Sequence, residues 1–426
     1  MILNKDIPIS SNKLFLFLIL FFFFIPYFID VYFKLNSITI PLFVIATIIN
    51  FLFIHEIQKF KLKKNYRFFL FLFLIIIFIS SINSYFIYNN SKPIKSYLVI
   101  SIFCTSIIIF NYLTICDLNK IIEKIKILFL ICIVLGWYSY FFEVYSFNYS
   151  AKANNIFPFQ EPSHFALAIG NLSIPLLVFT KIRFNIFILI NLFFFSLMFP
   201  STVLLIFSIL NLFIFFIKKD LNVIFRVFIL IITSLLVIIF FLNYSSIINL
   251  EYFINRIYPA YSKDQIYNIT NLTYKQGWEF IYVNLLNSNF FGIGYQMMGS
   301  EKMHFGETYR LIFNFSDTIS GKNISDGSFV MSKFIVEFGI IGLLLSLLYI
   351  KFIISFILRL KKNLKYINLK NYSNYNYFDK IFLSELIIFA YAVNYFIRGI
   401  NYFTPQSVIL IAAILFLINP TQNEKK

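Results

Sequence analysis

The chain has 426 residues, of which 60% are hydrophobic and 13% charged, with a mean hydropathy of +0.81. A soluble chain of this length would form two or three domains with roughly 45–50% apolar and about 25% charged residues, so the composition excludes that class and implies an integral membrane protein. The formal charge of +17 has to be placed along the chain before it speaks for or against nucleic acid. The 60 Phe and 28 Tyr are not read as a binding feature, because Phe, Ile, Asn, Lys and Tyr share AT-rich codons and a base-biased genome explains much of the excess. Cys104, Cys116 and Cys132 fall in or beside apolar runs with no paired spacing and no nearby histidine, which argues against a disulfide framework or a zinc site.

About 20 apolar residues are needed to cross the hydrocarbon core as a helix. Twelve segments meet that length, some marginally: 14–33, 38–54, 68–88, 97–116, 127–147, 163–180, 184–199, 201–217, 223–242, 329–350, 381–397 and 404–419. Lys5 and Lys13 precede the first in the manner of a signal peptide, but no small-residue cleavage site follows, so an uncleaved first helix is expected. The stretch 184–217 turns at Pro200 and Ser201 and reads either as a helical hairpin or as one kinked span.

With the N-terminus inside, the inner loops hold 24 Lys and Arg and the outer ones 12, and the net charges become +16 and +1. That asymmetry is the positive-inside signal, so both termini are expected in the cytoplasm, and the basic excess is accounted for by topology and by anionic membrane lipids. Nucleic acid is not expected as a partner. The fold class is therefore an all-α integral membrane protein: a polytopic bundle of about 12 transmembrane helices with one large periplasmic loop. Spans 1–9 occupy 1–242, the loop occupies 243–328, and spans 10–12 with a cytoplasmic C-terminus occupy 329–426.

The 86-residue loop is too rich in Tyr252, Phe253, Tyr258, Tyr261, Trp278 and Phe280 for disorder and should fold against the outer face of the bundle. Residues 271–286 read as a helix with Tyr274, Trp278, Ile281 and Leu285 on one face, which suits a helix lying at the membrane surface. The following NSNFFGIG breaks it. Gly292 and Gly294 do not form a phosphate loop, since no strand and helix flank them in the right order.

The loop helix with Trp278 followed by NFFGIG, the re-entry DGSFVMSKFIVEFGIIGLL at 326–344 and the motif FQEPSHFALAIG at 159–170 together resemble the O-antigen polymerase and O-antigen ligase superfamily. The resemblance implies a glycosyltransferase of the bacterial inner membrane that joins undecaprenyl pyrophosphate-linked oligosaccharides at the periplasmic face, with a chain-length regulator protein as a further partner and no metal or cofactor. Where ligases have a His at the end of the large loop, this chain has Asp326, Gly327 and Ser328, which favours the polymerase branch. A flippase for the same lipid-linked oligosaccharides remains the alternative, as does the ligase.

A lipid pyrophosphate leaving group gains negative charge as its glycosidic bond breaks, so cations are needed at the outer surface, preferably Arg with its planar fork. The candidates are Arg256, Arg310 and Arg398, with Lys152 the only cation near the QEPSH motif. Glu161 and His164 are three apart at the start of the sixth span and can share a proton. Glu161 also reads as a helix-end carboxylate favoured by the macrodipole, with Pro162 at the first helical position. Asp326 reads either as a catalytic carboxylate or as the N-cap of the tenth span. Lys333 and Glu337, four apart, are expected to neutralise each other inside the bundle.

Overall fold

The computed structural model describes residues 12–35, 38–60, 64–95, 99–142, 156–199, 201–219, 269–315, 324–369, 377–399 and 402–419. All regular structure among them is helical. The elements in chain order are α1 (Asn12–Tyr32), α2 (Thr39–Leu52), α3 (Ile54–Lys59), α4 (Lys64–Tyr88), α5 (Lys92–Lys95), α6 (Val99–Ile115), α7 (Leu118–Phe141), α8 (Pro162–Phe179), α9 (Ile182–Met198) and α10 (Thr202–Lys219). They continue with α11 (Ile269–Asn287), α12 (Glu307–Phe315), α13 (Val330–Leu369), α14 (Tyr377–Ala390), α15 (Ala392–Phe396) and α16 (Pro405–Ile418).

Eleven of the twelve expected apolar segments coincide with these helices, and the ninth, 223–242, lies outside the described residues. The stretch 184–217 is a hairpin, with α9 and α10 packed on one another. By length and composition alone, two helices among the described residues can cross a membrane, Pro162–Phe179 and Val330–Ile367. The apolar stretches of seven others, such as Ile19–Tyr32 within α1 and Leu74–Tyr88 within α4, are 10–17 residues long, and at about 1.5 Å rise per residue such stretches fall short of a hydrocarbon core about 30 Å thick.

The bundle is organised around α8. Phe165 to Ile169 and Ile174 to Val178 are wholly buried, because α8 packs against α7, α9, α10, α14 and α16. Polar side chains tie the helices at intervals: Trp137 Nε1 donates to Asn191 Oδ1 at 3.0 Å, Asn211 Nδ2 to Ser173 Oγ at 2.8 Å and Asn171 Nδ2 to Asn394 Oδ1 at 2.7 Å. The C-terminal end of α8 is closed by Lys218, whose buried Nζ donates to the carbonyls of Leu177 and Thr180 at 2.7 and 2.8 Å. A cation there satisfies carbonyls that have no partner within the helix. The N-terminal end of α8 points the other way, toward the residues of the candidate site.

The second core lies between α11, the 293–303 loop and the first turns of α13. There α13 is broken at Gly339, which has φ 59° and ψ −131°. The loop after α11 fills the break: Ile293 N donates to Val336 O at 2.9 Å, Gly294 N to Glu337 O at 3.1 Å, and Ile340 N to Phe290 O at 2.7 Å. Gly339 and Gly292 meet backbone to backbone, so a side chain at either would strike the other segment. The glycines of NFFGIG thus serve docking. The helix predicted over 271–286 is α11, but its buried stripe is Leu272, Gln276, Phe280, Ile281, Asn284 and Leu285. Tyr274 and Trp278 are instead 40% and 46% exposed, so the four expected residues do not share one buried face.

Candidate active site

Glu161 occupies the N-cap of α8 in extended conformation, φ −139° and ψ 151°, with Pro162 following. Its carbonyl accepts from His164 N at 3.0 Å, so the backbone fills the capping position. Its side chain makes no capping hydrogen bond. The carboxylate turns aside and accepts from Ser163 Oγ at 3.1 Å and from Arg398 Nη2 at 3.2 Å. A helix-end role explains the position of Glu161 and leaves its orientation unexplained; the Arg398 pair explains that. Both partners are partly buried, 21% and 27% exposed, so the pair is screened less than one at an open surface.

Arg398 follows α15, its N–H donating to Val393 O at 3.1 Å. The next residue, Gly399, packs against the side chain of Val330 so closely that a Cβ would collide with it. This contact sets Arg398 beside the start of α13. Arg398 therefore lies between the N-terminal ends of α8 and α13, where two helix dipoles favour negative charge.

Asp326 enters the same place from the segment leading into α13, where Gly327 and Ser328 both have positive φ, 71° and 70°. It does not cap α13, which begins at Val330. Among the described residues its carboxylate has no hydrogen bond or ion pair, yet it sits within electrostatic reach of Lys333, Arg398, Lys92 and Glu161. Burial pushes its pKa above the ordinary carboxylate value; the three cations pull it down, and Glu161 adds to the rise. A partly buried carboxylate left unbonded among cations is suited to taking a proton.

Lys333 and Glu337 pair as expected, at 3.9 Å. Lys333 does more than neutralise its neighbour: its Nζ donates to Ser325 O at 2.8 Å and to Gln296 Oε1 at 3.4 Å, and lies 5.1 Å from the Tyr402 ring centroid. Tyr402 in turn donates to Glu337 Oε2 at 3.0 Å. This network anchors the residue just before Asp326.

Of the other sequence candidates, only His164 stays beside Glu161. His164 lies in the first turn of α8 with its ring beside Tyr27, centroids 6.4 Å apart, and Tyr27 donates to Gln406 Oε1 at 3.2 Å. Lys152 and Arg256 lie outside the described residues. Arg310 stands exposed on α12, and among the described residues no hydrogen bond or ion pair joins it to Glu161, Asp326 or Arg398. Sequence reading passed over Lys92, which it counted only as an outer-loop charge, and it gave Lys333 no part in the site. No group of His, Cys, Asp or Glu among the described residues is arranged to hold a metal.

The first turn of helix α12 is tied to α11 by one carboxylate. Glu279 on α11 accepts from the N–H groups of Glu307 and Thr308 at 2.7 and 2.8 Å, capping two donors that the first turn leaves free. Glu279→Ala is expected to cost about 0.5–2 kcal/mol of local stability. Amide hydrogen exchange should show faster exchange confined to 305–315, with α8 and α13 unchanged.

Comparison with protein-family models, with curated proteins and with solved structures finds no match to this chain.

Proposed function

We propose that the chain is a multi-span enzyme of the bacterial inner membrane, with both termini in the cytoplasm, that polymerises undecaprenyl pyrophosphate-linked oligosaccharide repeat units into O-antigen or a similar surface polysaccharide on the periplasmic face. The membrane reading draws on the hydrophobic content of 60% and on the broad apolar surface of α13, where Leu344, Leu347, Leu348, Ile354 and Leu358 are exposed. Exposed apolar area of that extent needs a hydrocarbon or protein partner. The short helices fit the same reading if they tilt little and are completed by their loops.

The observation that carries the enzymatic reading is the meeting of Glu161, Arg398 and Asp326, from three distant stretches of chain, at one end of the bundle. In the proposed reaction Asp326 takes the proton from a hydroxyl of the non-reducing sugar of a new lipid-linked unit. That oxygen bonds to the anomeric carbon of the growing chain as the bond from this carbon to the pyrophosphate breaks. The electron pair leaves with the pyrophosphate, whose added charge is met by Arg398, with Lys92 and Lys333 nearby. Glu161 holds the Arg398 fork in place. A chain-length regulator would bind outside this centre.

One observation favours the alternative of a flippase: a broken helix with a buried Lys333–Glu337 pair is a feature that transporters use. A ligase would share the chemistry and differ in acceptor. The readings separate in a strain lacking the protein. Loss of a polymerase leaves one repeat unit exported and attached, giving a single band in place of a ladder on a gel; loss of a flippase or a ligase removes that band as well.

A further inference from the structure

A lysine stands beside Asp326 without pairing with it. The Lys333 Nζ donates to the carbonyl of Ser325, the residue next to Asp326, at 2.8 Å, yet among the described residues no ion pair or hydrogen bond joins it to the Asp326 carboxylate. An opposite charge so near would ordinarily be drawn onto that carboxylate. Glu337, one turn further along α13, competes for it: its Oε1 faces the ammonium at 3.9 Å, with both side chains buried.

Glu337 is itself held in place. Its Oε2 accepts from Tyr402 at 3.0 Å, and its carbonyl, next to the break at Gly339, accepts from Gly294 N at 3.1 Å. The same loop brings Gln296 Oε1 to 3.4 Å from the Lys333 ammonium. Stability does not account for such a pair, because desolvation offsets the attraction and hydrocarbon of similar volume would serve as well or better. Its place beside the candidate site does. Four charges face Asp326: Lys333 of α13, Arg398 after α15, Lys92 of α5 and Glu161 at the start of α8. Arg398 is paired with Glu161 at 3.2 Å and Lys333 with Glu337, so each of these two cations has a carboxylate other than Asp326.

We propose that Glu337 is a positioning residue for the transfer reaction: by holding the Lys333 ammonium, it leaves the Asp326 carboxylate unpaired and able to take the proton of the acceptor hydroxyl. The inference rests on the reading of Asp326 as the base. Glu337 is 1% exposed and acts through Lys333 alone. A full ion pair with Lys333 would lower the proton affinity of Asp326 by roughly 1–3 pH units and make it a weaker base.

The test is an acid titration of the purified chain in nanodiscs, followed by the infrared absorption of the protonated carboxyl, with the Asp326 band assigned by its absence in Asp326→Asn. Glu337→Gln keeps the shape and the contact with Tyr402. It should release Lys333 toward Asp326 and lower the protonation midpoint by about one pH unit or more. Glu337→Asp, which draws the charge back by one carbon, should shift the midpoint the same way by less, and serves where the amide variant does not fold. The acid limb of chain lengthening by the reconstituted protein should move with the midpoint. An unchanged or raised midpoint in these variants, whatever happens to thermal stability, would overturn the inference and leave the pair a packing feature. The titration reads the carboxyl and needs no substrate, so it fails separately from the polymerase. Midpoints that shift as expected in a chain that lengthens nothing would remove the polymerase reading, and with it the reaction that the arrangement serves.

Discussion

Asp326→Asn should abolish lengthening of the polysaccharide, lowering the rate by about 10²–10⁴-fold, the usual contribution of a positioned general base, with protein abundance unchanged. The change is nearly isosteric and leaves the surrounding cations in place, so loss of activity would report the lost proton acceptor. The pH dependence adds a second reading. Burial raises the pKa of Asp326 above its ordinary value, so activity that depends on its anion is present above that raised value and declines as pH falls through it. The acid limb of the wild-type profile should therefore lie above the ordinary Asp value of about 3.9, and Asp326→Asn should lack it. The same shift has the opposite sign for stability. The folded state holds this proton more tightly than the unfolded one, so the group lowers stability as pH rises between its unfolded and folded pKa values and not as pH falls. Acid inactivation along this limb should occur with the fold intact.

Arg398→Ala should be the second most damaging change. It removes the cation shared by Glu161 and Asp326, a charge-assisted contact of about 1.5–3 kcal/mol, or about 10- to 150-fold in rate if it acts in the transition state. Arg398→Lys should recover part of the loss, since it keeps the charge and loses the fork. If Glu161 works by holding Arg398, Glu161→Gln should cost less than Arg398→Ala, because the amide oxygen still accepts from Arg398 and Ser163. The double variant should then be no worse than Arg398→Ala alone, the mark of two residues acting as one unit. A Glu161 acting as the base would reverse the order: Glu161→Gln would be inactive and Asp326→Asn would tolerate the loss. Steady-state lengthening measured at matched expression separates the two.

The helices were legible because apolar length is written directly in composition. Their ends were less so. The tenth segment was expected to stop near Lys351, yet α13 runs to Leu369, since a charge ends an apolar window without ending a helix. Likewise α7 begins at Leu118, nine residues before the expected 127, with its first lysines already helical. The stripe of α11 was misplaced because Gln276 and Asn284 sit at its buried centre, where a hydrophobic pattern gives no signal; Asn284 is buried because its amide pairs with both backbone groups of His304 at 2.9 and 3.0 Å. The pairing of Glu161 with Arg398 spans 237 residues and has no local trace. The break at Gly339 depends on a loop some 45 residues earlier, so a lone glycine in an apolar run could not announce it.

The most direct test of the central claim is reconstitution. The purified chain in liposomes is supplied on the outer-facing side with the lipid-linked repeat unit that accumulates in the deletion strain, and the products are separated by length. The account predicts a ladder from the wild type, none from Asp326→Asn and a weakened one from Arg398→Ala. Repeat units that cross the bilayer without growing in length, at the same rate in all three proteins, would contradict it.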